Sequence, residues 1–170
     1  MRTTPRGFTL IELMISIAIA SLLAVLAMPT MSTWIADNQI QGAAESVASG
    51  LRVAMATAVK RNENVELVVD PTTGTGGWTA RTVTGSEVVQ VAHFAEGSAK
   101  AVFTALPGGA TTITFNGLAQ VVANSDGSDP ISSIQITHPA SGSRQLNVVV
   151  AGQHIRVCDP AFPASDPKGC

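Results

Sequence analysis

Three groups of residues carry chemistry that a packed core would not ask for. The first is Glu12, the fifth residue of a run from Phe8 to Met28 that holds no other charge. Placing a carboxylate in a bilayer costs on the order of 3 kcal/mol on insertion scales, so such a group marks a pairing or functional site. A cut after Gly7 would create an amine at Phe8, and that amine on a neighbouring copy of the chain is the nearest candidate partner. The second group is Cys158 and Cys170, both within the last 13 residues. Two close cysteines beyond a membrane segment read as one disulfide formed in an oxidising compartment. The third group is basic: Arg156 and Lys168, with His154 and Arg144 nearby in sequence. Arginine chelates phosphate oxygens with a planar fork, and a closed ring would hold Arg156 and Lys168 on one exposed surface. The plainer role of such a ring is to staple a fraying C-terminus, contributing about 3 kcal/mol in the loop-entropy account.

No constellation points to catalysis, to a metal or to a cofactor. His93, His138 and His154 fall in separate segments, none with cysteine or carboxylate at metal-ligand spacing. There is no nucleophile elbow, phosphate-binding loop or dinucleotide fingerprint. The stretch Asn124-Ser125-Asp126-Gly127-Ser128-Asp129 offers oxygens that could hold calcium. It lacks the downstream bidentate glutamate, and Asp-Gly is first a turn signal.

The elements that must position these groups follow from hydropathy and charge. With 45% hydrophobic and 13% charged residues the 170-residue chain is neither disordered nor a nucleic-acid-coating tail. Residues 1–7 read as a leader: Arg2 and Arg6 with no acid keep that end cytoplasmic while the chain beyond Met28 crosses. Losing both arginines leaves 8 basic against 12 acidic residues, a net charge of -4, so any binding of phosphate must be local. Residues 8–28 are long enough to span a bilayer as a helix. A secretory signal cut at Ala18-Ile19-Ala20 is the competing reading of this start. It gives Glu12 no purpose, and the apolar run continues past Ala20.

Residues 29–61 continue the helix, which from Phe8 to Arg61 would measure about 80 Å. Pro29 lacks an amide donor and should kink it. Ile40, Ala44, Val47, Leu51, Ala54 and Ala58 form one apolar stripe, while Gln41, Glu45, Ser49, Arg52 and Lys60 fall on another, solvent-facing side. Small residues around Ala43-Ala44-Ala48 would let a sheet sit close. Trp34 fits the membrane interface or a core equally well. Residues 62–170 form a β-rich domain. Its short β-type runs are Val65-Val69, Trp78-Val83, Val88-Phe94, Ala101-Ala105, Thr111-Phe115, Gln120-Ala123, Ile131-Thr137, Gln145-Val150 and His154-Val157. The fold class is α+β: a long N-terminal helix, its first half transmembrane, packed on a C-terminal antiparallel sheet or sandwich.

The segment Gly7-Phe8-Thr9-Leu10-Ile11-Glu12-Leu13 resembles the class III signal of type IV pilins and type II secretion pseudopilins. Phe115-Asn116-Gly117-Leu118-Ala119 is similar to the Phe-x-x-x-Gly element of GspH/FimT-type pilins, with Ala119 where glycine is usual. The tail from Cys158 to Cys170 looks like that of FimT-type minor pilins. The resemblance implies cleavage after Gly7 by prepilin peptidase, methylation of the Phe8 amine, Glu12 as the assembly carboxylate and Pro29 at the helix kink. It implies a single-pass inner-membrane protein with its N-terminus cytoplasmic and its globular domain periplasmic, later incorporated into a pilus. Its partners are then membrane lipid and other major and minor pilins. A GspH-like minor pseudopilin of type II secretion is the alternative. FimT-type minor pilins have been linked to DNA uptake through a Gly-Arg-x-Arg-like stretch before the first tail cysteine. Here that stretch reads Gly152-Gln153-His154-Ile155-Arg156, so Arg156 matches one basic position and His154 replaces the other. The implied ligand is double-stranded DNA bound without sequence preference.

Overall fold

The computed structural model describes residues 8–140 and 142–170, apart from the side chains at 26, 27, 29 and 30. The leader and the cleavage position at Gly7 therefore lie outside the described residues. One helix, α1, runs from Leu10 to Arg61. Thr9 caps it: its hydroxyl accepts from the Glu12 amide at 3.3 Å, and its own amide donates to Glu12 Oε2 at 3.3 Å. This reciprocal box satisfies two of the donors that a helix start leaves bare. At the other end Asn62 turns left-handed at φ 52°, the amides of Asn62 and Glu63 close back onto Val59 and Ala58, and Lys60 and Arg61 sit in the negative last turn. The backbone is helical through position 29, so the expected kink falls within one continuous element whose side chain there is not described.

The described residues after α1 include nine strands: β1 (Val65–Asp70), β2 (Gly77–Thr82), β3 (Val88–His93), β4 (Val102–Leu106), β5 (Thr112–Phe115), β6 (Val121–Val122), β7 (Ser133–Thr137), β8 (Leu146–Ala151) and β9 (His154–Cys158). They pair antiparallel in two sheets, ordered β3-β2-β1-β5-β6 and β4-β7-β8-β9. Each run anticipated from sequence is a strand, with ends shifted by a residue or two.

The second half of α1 lies on both sheets. Ile40, Ala43, Ala44, Val47, Ala48, Leu51, Ala54 and Ala58 are completely buried. They join Leu67, Ile113 and Phe115 of one sheet and Ile134, Ile136 and Val148 of the other in a single core. The small residues set the approach distance. Gly50 lies under the Trp78 indole, where an added Cβ would come within 2.7 Å of the ring, and Trp78 Nε1 donates to Ser46 Oγ at 3.0 Å. The indole thus keeps its hydrogen bond while its body is removed from water.

The loop after β5 is seated on the helix end. A side chain at Gly117 would run into Asn62, whose Cα lies 3.0 Å from the added carbon. Ala119 holds a positive φ of 60°, which supplies the physical reason why glycine is usual at the corresponding place. The Asn116 carboxamide ties this turn by accepting from the amides of Leu118 and Gln120, both at 2.9 Å.

Candidate functional site: a bare helix and a cationic tail groove

Among the described residues the first half of α1 has no packing partner within the chain. Every large apolar side chain described from Phe8 to Met28 is 54–89% exposed, and Trp34 is 63% exposed. An apolar surface of this extent far exceeds what a monomer leaves in water. Exposure of Trp34 fits an interface position and not core packing. Among the described residues no helix is long and apolar enough to cross a membrane. The span expected over 8–28 includes Leu26 and Ala27, whose side chains lie outside them. Phe8 is 89% exposed directly ahead of the Thr9 cap. Glu12 turns back on its own helix start in the isolated chain. A negative group suits that end of the helix.

The second feature is the tail. Cys158 and Cys170 are bonded to each other, with Cα atoms 5.2 Å apart. Inside the ring the Asp159 amide donates to the Lys168 carbonyl at 2.7 Å, and the Asp159 carboxylate accepts from the Ala161 amide at 2.9 Å. Gly169 passes so close to Phe162 and Pro163 that a Cβ would sit 2.9 Å from the Phe162 oxygen. The ring is therefore a compact unit built against β9 and not a loose extension.

The four basic candidates do not form one surface. Val157 pairs with Val148 and Ile155 with Val150, and these face the helix; His154 and Arg156 alternate to the other side of β9. Arg156 reaches Cys170, donating to its carbonyl oxygen at 3.2 Å. Arg144 and Lys168 instead line a groove between α1 and the tail, which they share with Arg52, Glu45, Asp159 and Phe162. Arg52 is exposed, as its side of the helix predicts. It crosses to β9 and donates to the Ile155 carbonyl at 3.3 Å. No local pattern announces a helix residue meeting a strand 103 positions later.

The loop from β7 to β8 is fastened to the helix beside this groove. The Arg144 amide donates to Asp37 Oδ1 at 3.0 Å, the Arg144 guanidinium donates to Gln41 Oε1, and the His138 ring meets Gln39 Oε1 at 3.2 Å. His138 thus has a structural contact, whereas His93 and His154 are exposed on their strands. In the acidic turn, Asp126 accepts from the Ser128 amide at 2.9 Å and its hydroxyl at 2.6 Å, which draws its carboxyl below the ordinary carboxylate range. Asn124 bonds Thr114, Thr112 and Ser128. These oxygens are committed to the turn, and among the described residues no cluster suited to a metal occurs.

A helix bare along its first half, buried along its second and carried into antiparallel sheets defines a pilin-like protein. The family model described as Type II transport protein GspH matches residues 43–154, and that described as the prokaryotic N-terminal methylation motif matches residues 2–28. The chain belongs to the GspH family of type IV pilin-like proteins. It is similar to a fimbrial protein and to the type IV major fimbrial protein FimA of Dichelobacter nodosus. Each is 42% identical over 79 residues, covering 45% of this chain and 48% of the relative. The chain spans about half the length of the curated relatives it matches. Among solved structures it is similar to the Pseudomonas aeruginosa type IV minor pilin FimU, at 17% identity and a TM-score of 0.48, covering 78% of this chain and 96% of that one.

Proposed function

We propose that the chain is a minor type IV pilin. Prepilin peptidase cuts it after Gly7, the Phe8 amine is methylated, and the first half of α1 anchors it in the inner membrane before carrying it into a pilus. The observation that supports this most is the bare first half of α1, with one carboxylate near its start. Lipid covers such a surface first and the helices of other pilins cover it later, so one element serves both states. Residues 29–170 then present a periplasmic domain. The fimbrial relatives favour a pilus, and the family description favours the second reading, a pseudopilin of type II secretion. Both readings share the helix chemistry.

The test is Glu12→Ala. Cleavage and membrane insertion should continue, because the helix only becomes more apolar. Incorporation into sheared filaments should fall, because the carboxylate no longer meets an amine. Normal incorporation of the variant would remove the assembly role of Glu12.

The finer part of the proposal is that the tail contacts double-stranded DNA through phosphates, without reading bases. It is supported by the exposed Arg156 and His154 on the outer side of β9. With so few cations, affinity should be micromolar or weaker and sensitive to salt. Arg156→Gln should weaken duplex binding and His154→Arg should strengthen it.

A further inference from the structure

The molecule treats its cations in two ways. Arg81 is paired with Glu66, and Arg61 reaches Glu87 at 2.7 Å and Glu63 at 3.7 Å. Among the described residues the other cations are in no ion pair, and three of them, Arg52, Arg144 and Lys168, come from the helix, a loop and the tail to line one groove. Each guanidinium donates to one neutral oxygen, that of Ile155 for Arg52 and that of Gln41 for Arg144, so most of each fork is open to a ligand. The two carboxylates in the groove are already engaged. Glu45 accepts from Gln41 Nε2 at 2.8 Å, and Asp159, 8% exposed, holds the tail turn.

The groove also has an aromatic wall. Phe162 is 43% exposed although its backbone is held within the ring, its amide donating to the Asp159 carbonyl at 3.2 Å. A contact limited to the phosphates of a duplex has no use for a phenyl face, because paired bases are stacked on one another. An unpaired strand offers both a backbone charge and a free π-face.

We propose that this groove binds unpaired nucleotides of a single DNA strand, with phosphates on Arg52, Arg144 and Lys168 and a base stacked on Phe162. The inference rests on the DNA reading above and moves the principal contact from the outer face of β9 to its helix side. A lipid headgroup does not fit the place. Gln41 to Arg52 lie about 20–36 Å beyond Met28 along the helix axis.

The experiment uses the full chain in detergent micelles and follows the fluorescence anisotropy of a labelled oligothymidylate and of a duplex of the same length. The single strand should bind several-fold more tightly than the duplex. Phe162→Leu, which keeps apolar bulk but removes the π-face, should weaken the single strand about fivefold or more, the lower end of one base–aromatic stack. The same change should leave the duplex unaffected. Arg52→Gln should also weaken the single strand, and Arg156→Gln should not. Unchanged single-strand affinity in both Phe162→Leu and Arg52→Gln would overturn the proposal. So would displacement of the oligonucleotide by polyglutamate at matching charge, which would make the groove a site for acidic peptides. Single-strand binding that is lost in Arg156→Gln and unchanged in Phe162→Leu and Arg52→Gln would retain the DNA reading and remove the groove. No binding of either probe at low salt would remove both.

Discussion

The two halves of α1 share one backbone and one set of helix-forming residues, yet they are built for different surroundings. From Ile40 to Ala58 the apolar residues form a stripe, the stripe is fully buried, and polar residues such as Glu45 and Ser49 occupy the remaining surface. From Leu10 to Val25 apolar residues occupy every side and all are exposed. A stripe needs one partner, here the two sheets; a helix apolar all round needs an environment. The difference teaches that the second half is finished when the chain folds, whereas the first half is left for surroundings outside the described chain to cover, which the proposed function assigns to lipid and to neighbouring helices.

Paired substitutions break this comparison most sharply. Leu51→Ala should destabilise the folded domain by about 2–5 kcal/mol, because it opens a cavity where helix and sheets meet. Leu22→Ala should leave domain stability within about 0.5 kcal/mol, because Leu22 is 64% exposed and touches no core. Chemical denaturation of the two variants in detergent, followed by the near-ultraviolet signal of Trp78, reads the difference. Equal losses would mean that the halves are not distinct.

A smaller effect concerns the contact between the helix end and the sheet. Ala119→Gly relieves a left-handed backbone that alanine tolerates poorly, so stability should rise by about 0.5–1 kcal/mol in the same measurement. A loss would show that the alanine methyl matters more than the backbone.

The smallest effect comes from acid. Arg61 holds the Glu87 carboxyl below its ordinary range, through the hydrogen bonds first and then charge. A depressed folded-state value contributes stability that is complete above the ordinary carboxylate range and is lost as pH falls through the folded-state value. Both side chains are exposed, so the contribution is screened and small. The difference in melting temperature between the unmodified chain and Glu87→Gln should shrink as the pH is lowered through that window. A difference that stays constant would show that the ion pair does not contribute.

Much of this architecture was legible in the chain because its signals are local. Strands such as Val65–Asp70 and Leu146–Ala151 are β-branched or apolar runs bounded by turn residues, and the buried stripe of α1 repeats at helical spacing. Strand partners were not legible. β1 lies between β2 and the distant β5, and β4 pairs with β7, because such pairings depend on which faces can be buried together. The groove was half legible. Arg144 and Lys168 stand out by proximity to the tail, but Arg52 joins them only through the packing of α1 on β9. His154 and Arg156 were grouped with them in sequence, and strand alternation sends them to the other face.

The proposed pilin role depends most on Gly7 and Phe8, since a cut between them would turn the bare half of α1 from a leader-bearing anchor into an assembly element. The direct measurement is the intact mass of the protein recovered from inner membranes of cells carrying prepilin peptidase. The account predicts a chain that begins at Phe8 and carries one methyl group on its amine. A mature chain beginning at Ser21 would contradict it, since cleavage after Ala20 would discard Glu12 together with the first half of the anchor.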